Sequence, residues 1–343
     1  MKQGSVVHKH LEEQVHKTVP IDTETKEDKW GLRIWNVIQG LRTLRSTGLT
    51  RELEIWGTID GLVVNGVIDE LSYICPDEKL ERSLEKPAKD EAPPDQATIS
   101  EFFKATGGSS LVEATTPKRR SHSNKIYVCD VKTRSVRSLP AEVSFRPTRM
   151  QLMLYHSLLA SLATNMVDLS IITSRYNLDA SRVFSDKFVD AIGKLNGDTF
   201  YDAESTPNGS QESIGQWSQD SASTLRIYSS LSALWSLMIS EFQETLPDGA
   251  ASLGKILKAE YRSRDTGDIL GSKTFAMDQQ GLAVYVEDEM KWWKGEREPQ
   301  GVVIEEAFKC RSCDFAEGCE WRLKKIDEAK EKVRLSRKRK SDV

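Results

Sequence analysis

The sequence predicts an α/β fold in which helices flank a central sheet. Apolar residues recur at helical spacing over residues 26–45, which indicates a long amphipathic helix near the start of the chain. Residues 53–74 and 126–133 are instead rich in β-branched residues, and glycines divide the first stretch into short runs typical of strands. Helical patterns return after residue 147, so strands lie between helices along the 343-residue chain, as in α/β domains.

The N-terminal half contains the clearest boundaries between elements. Residues 4–17 predict a short polar helix. Thr25, with Asp28 three residues later, predicts a capped start for the longer helix that follows. The pair Asn65-Gly66 stands between two apolar runs and therefore predicts a hairpin turn.

The C-terminal half alternates helices with one further strand pair. Proline is tolerated in the first turn of a helix, so Pro147 predicts a helix over residues 147–163. The other predicted elements are helices at 180–194, 225–245 and 278–296, and a strand pair at 256–275 that turns at Asp265–Gly267.

Two polar segments interrupt this pattern. Residues 76–124 are rich in Pro, Lys, Glu, Ser and Gly, and residues 203–224 are similarly poor in apolar side chains, so both are predicted to be flexible. The other elements are expected to form a single domain over residues 1–322, followed by a basic tail at 323–343. Since no apolar run approaches the roughly 18 residues that span a bilayer, no membrane segment is predicted.

Charge and cysteine content narrow the classes of function. The net charge is −4, so binding of nucleic acid would require local clusters of Lys and Arg. The 5 cysteines are unevenly spaced, which argues against a disulfide framework. Cys310, Cys313 and Cys319 follow one another closely and predict a metal site, for which thiolates suit both zinc and iron–sulfur clusters.

The strongest catalytic pattern combines Asp69 with Asp130 and Lys132. Alternate residues of a strand share a face, so Asp130 and Lys132 are expected to project together, beside Asp69 on a neighbouring strand. Two carboxylates suit Mg²⁺ or Mn²⁺, and an adjacent lysine can orient a water or offset phosphate charge. Asp-x-Lys is also common by chance, and Gly57-x-x-Asp60 repeats the pattern before Asp69, so Asp60 remains an alternative ligand.

Two further pairs stand one helical turn apart. His8 and Glu12 follow Gly4, and Gln151-x3-Tyr155 comes after the Asp-x-Lys strand. Each pair alone is ordinary for a helix face. Taken in order, however, the motifs Gly-x3-His, Gly-x-x-Asp, Asp-x-Lys-Thr and Gln-x3-Tyr resemble the RecB-like branch of the PD-(D/E)xK nucleases.

This resemblance implies a restriction-endonuclease-like core, in which a central mixed sheet is flanked by helices. It also implies a set of roles. The residues that would hold metal are His8, Asp69 and Asp130. Lys132 would act at the scissile phosphate, while Gln151 and Tyr155 would shape the site.

The C-terminal motifs resemble a narrower family. Together with GVIDEL and DVKTR, the segments WKGERE and IEEAFKCRSCDFAEGCEW are similar to the exonuclease V family, over residues 4–322. The resemblance implies exonuclease activity on single-stranded DNA, generally 5′-directed, with Mg²⁺ and a [4Fe–4S] cluster that includes Cys310, Cys313 and Cys319. The family's fourth cysteine precedes the Gly-x3-His motif. This chain is therefore expected to lack an N-terminal segment and to hold the cluster poorly.

Residues outside these motifs predict contacts with partners. The predicted phosphate contacts lie around the Asp-x-Lys strand and are Arg134, Arg137 and Arg149. A segment within 76–124 resembles the peptide that binds the eukaryotic sliding clamp PCNA, since it would present apolar side chains on one helical turn. The residues of this motif are Gln96, Ile99, Phe102 and Phe103. The alternative is that they pack on the core.

These patterns predict a monomeric exonuclease that degrades single-stranded DNA in repair or genome maintenance. The expected compartment is the nucleus or the mitochondrion, with the nucleus preferred because of short basic runs at 117–120 and 337–340. The alternative is a DNA-binding or clamp-associated protein that keeps the nuclease fold with impaired activity. The intact Asp69, Asp130 and Lys132 favour the enzyme.

Overall fold

The computed structural model describes residues 7, 11, 17–85, 125–193, 199–202 and 218–341. The chain divides into two compact units, a sheet unit (Met1–Arg137 with Leu154–Met277) and a C-terminal unit (Ser138–Met153 with Asp278–Val343). The prediction of a single domain over residues 1–322 remains a prediction.

Strands and helices alternate through the described residues. The strands are β1 (Lys17–Pro20), β2 (Leu49–Ile59), β3 (Leu62–Ser72), β4 (Tyr127–Arg134), β5 (Thr199–Asp202), β6 (Ile256–Ser263) and β7 (Ile269–Ala276). The α-helices are α1 (Lys26–Thr47), α2 (Glu78–Glu85), α3 (Glu142–Ala163), α4 (Leu169–Tyr176), α5 (Asp186–Gly193), α6 (Ser218–Ile227), α7 (Leu231–Thr245), α8 (Gln279–Trp293) and α9 (Glu320–Ser341). Short 3₁₀ segments lie at Gly249–Ser252 and Ile304–Ser312.

A five-stranded mixed sheet forms the centre of the sheet unit, in the order β2-β3-β4-β6-β7. The pairs β2–β3, β3–β4 and β6–β7 are antiparallel, whereas β4 and β6 run parallel. A separate parallel pair joins β1 to β5. The predicted α/β class, with a mixed sheet flanked by helices, is confirmed. No helix in the described part of the chain has both the length and the apolar character to cross a membrane.

Helix α1 begins with the predicted capping box. The Thr25 hydroxyl accepts a hydrogen bond from the Asp28 backbone at 2.9 Å, and the Asp28 carboxylate accepts one from the Thr25 backbone at 3.0 Å. Ser185 also donates to Asp28, which fixes the start of α5 against α1. Burial alone would raise the pKa of Asp28, but the hydrogen bonds from Ser185 and Thr25 outweigh burial and lower it. Further along α1, Trp30 packs on Trp56 of β2, with ring centroids 5.7 Å apart.

The turn between β2 and β3 lies at Asp60–Gly61, so the prediction of a turn at Asn65-Gly66 is wrong. Both turn residues have left-handed backbone, with φ of 49° at Asp60 and 77° at Gly61, which suits a two-residue hairpin. Gly66 lies inside β3, where a Cβ would come within 2.9 Å of Tyr155 Cζ and 3.0 Å of its Oη. This glycine therefore permits close packing of α3 on the strand. Glycine is favoured both in tight turns and at such close contacts, so its presence alone does not distinguish the two.

Several helix boundaries also differ from prediction. Helix α3 begins at Glu142, with Pro147 in its second turn, because Phe145 is buried and its backbone N–H bonds to Ala141 at 3.0 Å. The predicted helix at 225–245 is divided into α6 and α7, since Ser230 caps the second of them. The strand pair at 256–275 is confirmed.

Helix α2 lies within the segment that was predicted to be flexible. The Tyr127 hydroxyl donates to the Glu81 carboxylate at 2.6 Å, which connects this helix to the first residue of β4. Burial, followed by the Glu81 carboxylate, raises the pKa of Tyr127 strongly, so the phenol keeps its proton. The predicted helix at 4–17 and the rest of the two flexible segments fall wholly or largely outside the described residues.

Candidate active site

Asp130 and Lys132 project from the same face of β4 and form an ion pair. The Lys132 ammonium lies 3.1 Å from Asp130 Oδ1 and 3.0 Å from Oδ2. Asp130 is 1 % exposed, whereas the Lys132 side chain is 34 % exposed. A carboxylate this deeply buried is costly unless a cation lies beside it. Lys132 therefore offsets the charge of Asp130, while about a third of its side chain stays exposed.

Asp69 lies beside this pair on the neighbouring strand. The backbone pairing of β3 with β4 ends at Glu70 opposite Cys129, and one step further brings Asp69 level with Asp130. At this step the Asp69 carboxylate accepts a hydrogen bond from the Val131 backbone N–H at 2.6 Å. The Asp69 side chain thus replaces a backbone hydrogen bond between β3 and β4. It fixes the Asp69 carboxylate next to that of Asp130.

Asp60, the alternative ligand, lies at the far end of the hairpin. It is an exposed turn residue just before β3. Asp69 lies seven residues beyond Leu62, the first residue of that strand. At about 3.3 Å per strand residue, the distance from the turn to Asp69 is on the order of 20 Å. The geometry therefore favours Asp69 over Asp60 as the partner of Asp130.

The aromatic ring of Tyr261 adds a feature that no sequence motif indicated. Tyr261 on β6 pairs with Lys132 in the parallel register, and it is almost fully buried. The guanidinium of Arg134, two residues beyond Lys132, lies 5.8 Å from the centroid of this ring. Arg134 is thereby held on the face that carries Asp130 and Lys132. Arg137, the second predicted phosphate contact, is exposed in the segment after β4.

The predicted supporting residues Gln151 and Tyr155 both lie on α3, but they belong to different units of the chain. Tyr155 belongs to the sheet unit and packs against Gly66, three residues before Asp69. Because residues an odd number apart on a strand face opposite ways, Tyr155 contacts β3 from the side opposite the Asp69 carboxylate. Gln151 and Arg149 belong to the C-terminal unit. Arg149 lines a cavity of about 510 Å³ there, together with Arg146 and Glu306.

The opposite face of the sheet carries a separate set of charges. Glu260 pairs with Lys258 and with Arg262, each at 2.7 Å. Burial alone would raise the pKa of Glu260, but these two cations lower it. Cys129 is on this same face, and burial, followed by the Glu70 carboxylate, raises the pKa of its thiol well above the usual range. Cys129 is therefore neither a ready metal ligand nor a nucleophile.

The oxygen donors of Asp69 and Asp130 fit a magnesium ion. Mg²⁺ is usually bound through one or two carboxylates, with water or substrate oxygens completing its octahedron. Within the described ranges, no three His, Cys, Asp or Glu side chains converge on a point where they could hold a metal. His8, the third predicted ligand, lies outside the described residues.

The three C-terminal cysteines occupy one segment without converging. Cys310 lies in the 3₁₀ segment Ile304–Ser312, Cys313 directly follows it and is exposed, and Cys319 precedes α9. The thiols as described do not form a ready iron–sulfur site, and the [4Fe–4S] cluster stays a prediction. The predicted clamp-binding residues, Gln96, Ile99, Phe102 and Phe103, lie outside the described residues.

Comparison with known proteins relates this chain to a family of DNA nucleases. The family model described as "Exonuclease V - a 5' deoxyribonuclease" matches residues 1–322. Exonuclease V of Danio rerio is 22% identical over 321 residues, which cover 93% of this chain and 61% of that protein. The mitochondrial exonuclease V of Candida dubliniensis is 34% identical over 68 residues, 20% of this chain and 11% of that protein. The chain spans about three fifths of the zebrafish relative. On the match over residues 1–322, the chain belongs to the exonuclease V family.

Proposed function

We propose that this chain is a metal-dependent exonuclease that hydrolyses single-stranded DNA from the 5′ end. Membership of a family described as 5′ deoxyribonucleases supports the reaction and its direction. The observation that carries the proposal is the hydrogen bond from Val131 to Asp69, because it places a second carboxylate beside the buried Asp130–Lys132 pair. We further propose that this arrangement is the PD-(D/E)xK core.

The site combines two carboxylates that are held in place with one lysine side chain that can move. The Asp69 carboxylate is fixed through the Val131 backbone, and the Asp130 carboxylate is fixed by burial. The Lys132 ammonium ends a flexible, partly exposed side chain, so it can turn from Asp130 towards a phosphate oxygen or a water. Arg134 on the same face would bind a neighbouring phosphate, which makes DNA binding sensitive to salt.

Asp69 and Asp130 would hold Mg²⁺, with His8 as a further ligand. When bound, the ion would polarise the scissile phosphate and lower the pKa of a bound water. Asp130 would then carry out two functions, since its carboxylate balances Lys132 in the free protein and binds the ion in the loaded one. We propose that Tyr155 supports this site indirectly, since it packs on β3 from the side opposite the Asp69 carboxylate. A supporting role for Gln151 stays a prediction.

The compartment and partners are proposed on narrower grounds. The name of the Candida dubliniensis relative supports a mitochondrial location, although that similarity covers a short stretch. A nuclear location, binding to PCNA through residues 96–103, the iron–sulfur cluster and the monomeric state stay predictions.

The proposed reaction is tested with DNA labelled at one end. Single-stranded oligonucleotides carrying a 5′ or a 3′ label are incubated with the protein and Mg²⁺, and products are separated at early times. The proposal expects label to be released in short products from the 5′ end while the 3′-labelled strand shortens progressively. Asp130→Asn should abolish both changes.

A matched variant on the same strand pair controls for general damage. Glu260→Gln removes a buried carboxylate from the opposite face of the sheet, so it should retain activity. Equal cleavage by Asp130→Asn and the unaltered chain would refute the proposed site. Equal loss in both variants would show that the effect of Asp130→Asn is not specific to its carboxylate.

A further inference from the structure

The C-terminal helix α9 concentrates positive charge in a chain that is acidic elsewhere. Its 22 residues include ten Lys or Arg and four Asp or Glu, a net charge of +6. The whole chain carries −4, so the remaining residues carry −10. The last acidic residue of the helix is Glu331, and the six basic residues after it are Lys332, Arg334, Arg337, Lys338, Arg339 and Lys340.

The first part of α9 packs within the C-terminal unit, whereas the residues from Lys330 to Ser336 are exposed. Trp321 lies against Gly301, where a Cβ would meet the indole ring. Trp321, Ile326 and Ala329 line one cavity with residues of the 3₁₀ segment Ile304–Ser312. From Lys330 to Ser336 every residue is exposed, and the Arg334 side chain is 78 % exposed. We call residues 322–330 the root and residues 332–340 the tip.

The sequence of the tip lacks the apolar pattern of a helix that packs on another protein. Its apolar residues Val333 and Leu335 are two positions apart, so they point to different sides of the helix. An amphipathic helix that fits an apolar groove would instead repeat them at three or four positions. Neither side of the tip therefore offers a continuous apolar stripe.

The root contains two acidic residues, each paired with one of its lysines, whereas the tip contains no acidic residue. Lys325 pairs with Glu328 at 2.8 Å and Lys330 with Asp327 at 3.2 Å. Arg334 reaches back to Glu331 at 3.0 Å, and no acidic residue follows within the helix. Like charges one turn apart destabilise an isolated helix, so a polyanion bound along the tip would stabilise it.

The tip also lies beyond the segment that the family shares. The match to the exonuclease V family ends at residue 322, close to the start of α9. The tip therefore lies outside the part of the chain that the family model matches. A polyanion that such a chain would meet is its DNA substrate, a partner that rests on the proposed function.

We propose that the tip of α9 is an accessory phosphate-binding arm, which holds the backbone of single-stranded DNA outside the active site. The arm adds contacts that do not depend on base sequence, because its Lys and Arg side chains meet phosphates alone. It raises affinity for long strands and leaves the chemical step unchanged.

The test compares two triple variants with the same change of charge. The tip variant is Arg337→Gln, Lys338→Gln, Arg339→Gln, and the root control is Lys324→Gln, Lys325→Gln, Lys330→Gln. Glutamine keeps helix propensity while removing charge. Binding of a labelled oligo-dT of about 30 nucleotides is followed by fluorescence anisotropy in EDTA, from about 50 to about 200 mM salt.

The tip variant should lower the salt slope of binding by about 2, since each lost phosphate contact on a single strand accounts for about 0.7. The root control should change the slope by less than half of that, because two of its three lysines, Lys325 and Lys330, already pair with acidic neighbours. Thermal unfolding should be unchanged for the tip variant. The cleavage rate at saturating DNA should also equal that of the unaltered chain.

Three results would overturn the proposed phosphate-binding arm. An unchanged slope in the tip variant, or an equal fall in both variants, would show that the tip makes no particular contact. Normal DNA binding combined with lost nuclear accumulation of the tagged tip variant would instead identify an import signal. Failure of the proposed nuclease function can be told apart from failure of the arm. If the unaltered chain cleaves no DNA with Mg²⁺, its binding of DNA through the arm can still be measured in EDTA.

Discussion

Replacing Lys132 with methionine would remove the ammonium that lies against both oxygens of a buried carboxylate. The Asp130–Lys132 separations are 3.0 and 3.1 Å, and at an effective dielectric constant of about 20 such a pair attracts by about 5 kcal/mol. Solvent reaches 34 % of the Lys132 side chain and screens part of this attraction. We therefore expect Lys132→Met to lower the free energy of unfolding by about 2 to 3 kcal/mol.

The reverse variant should cost less, because the two partners differ in burial. Asp130→Asn leaves an ammonium that can turn to water, so we expect a loss of about 1 kcal/mol or less. In the double variant no buried charge remains, and its stability should recover towards that of Asp130→Asn. Urea unfolding in EDTA, followed by circular dichroism, measures all four proteins of this cycle.

Magnesium extends the same test to the site itself. If Asp69 and Asp130 bind the ion, Mg²⁺ should restore part of the stability lost in Lys132→Met, because a cation then replaces the ammonium. It should not do so in the double variant. A Lys132→Met protein no less stable than Asp130→Asn would refute the assigned role of the ion pair.

Three further predictions follow from packing and burial. Gly66→Ala should lower the free energy of unfolding by about 1 to 3 kcal/mol, because its Cβ would meet the Tyr155 ring. Tyr155→Ala in the same chain should relieve this clash. If the double variant is less stable than the sum of the two single changes predicts, the contact is misassigned. Tyr127→Phe should cost about 1 to 3 kcal/mol, since it removes the 2.6 Å hydrogen bond to Glu81, and an unchanged urea midpoint would contradict this. Burial lowers the pKa of His156 from 6.5 to about 4, so its contribution to stability is complete above about pH 6.5 and is lost as the pH falls towards 4, by up to about 3 kcal/mol. His156→Gln should flatten the stability curve in that window, and an unflattened curve would assign the loss to other groups.

Local sequence signals predicted those elements whose causes are local. The capping box of α1 depends on Thr25 and Asp28, three residues apart, and both its hydrogen bonds are present. The shared face of Asp130 and Lys132 follows from strand alternation, and their ion pair has that geometry. The cysteine segment gave a clear motif, although the motif carries no information on whether the thiols converge.

The remaining features depend on contacts between distant parts of the chain. Asn65-Gly66 has the composition of a turn, but α3 packs on Gly66, so the turn moves to Asp60–Gly61. The placement of Asp69 depends on a bond to a backbone 62 positions away, which no spacing rule encodes. Tyr261 belongs to no motif, and only the parallel register of β4 with β6 places it beside Lys132.

The most direct test of the site compares Asp69→Asn with Asp60→Asn. Both aspartates follow a Gly-x-x pattern, yet one bonds to the strand of Asp130 and the other is an exposed turn residue. Initial rates of single-stranded DNA cleavage are measured with Mg²⁺ at equal protein concentration. We expect Asp69→Asn to lower kcat by about 100-fold or more, equivalent to about 3 kcal/mol of transition-state stabilisation, and Asp60→Asn to stay within about twofold of the unaltered chain. Full activity in Asp69→Asn, or its loss in Asp60→Asn alone, would contradict the site described above.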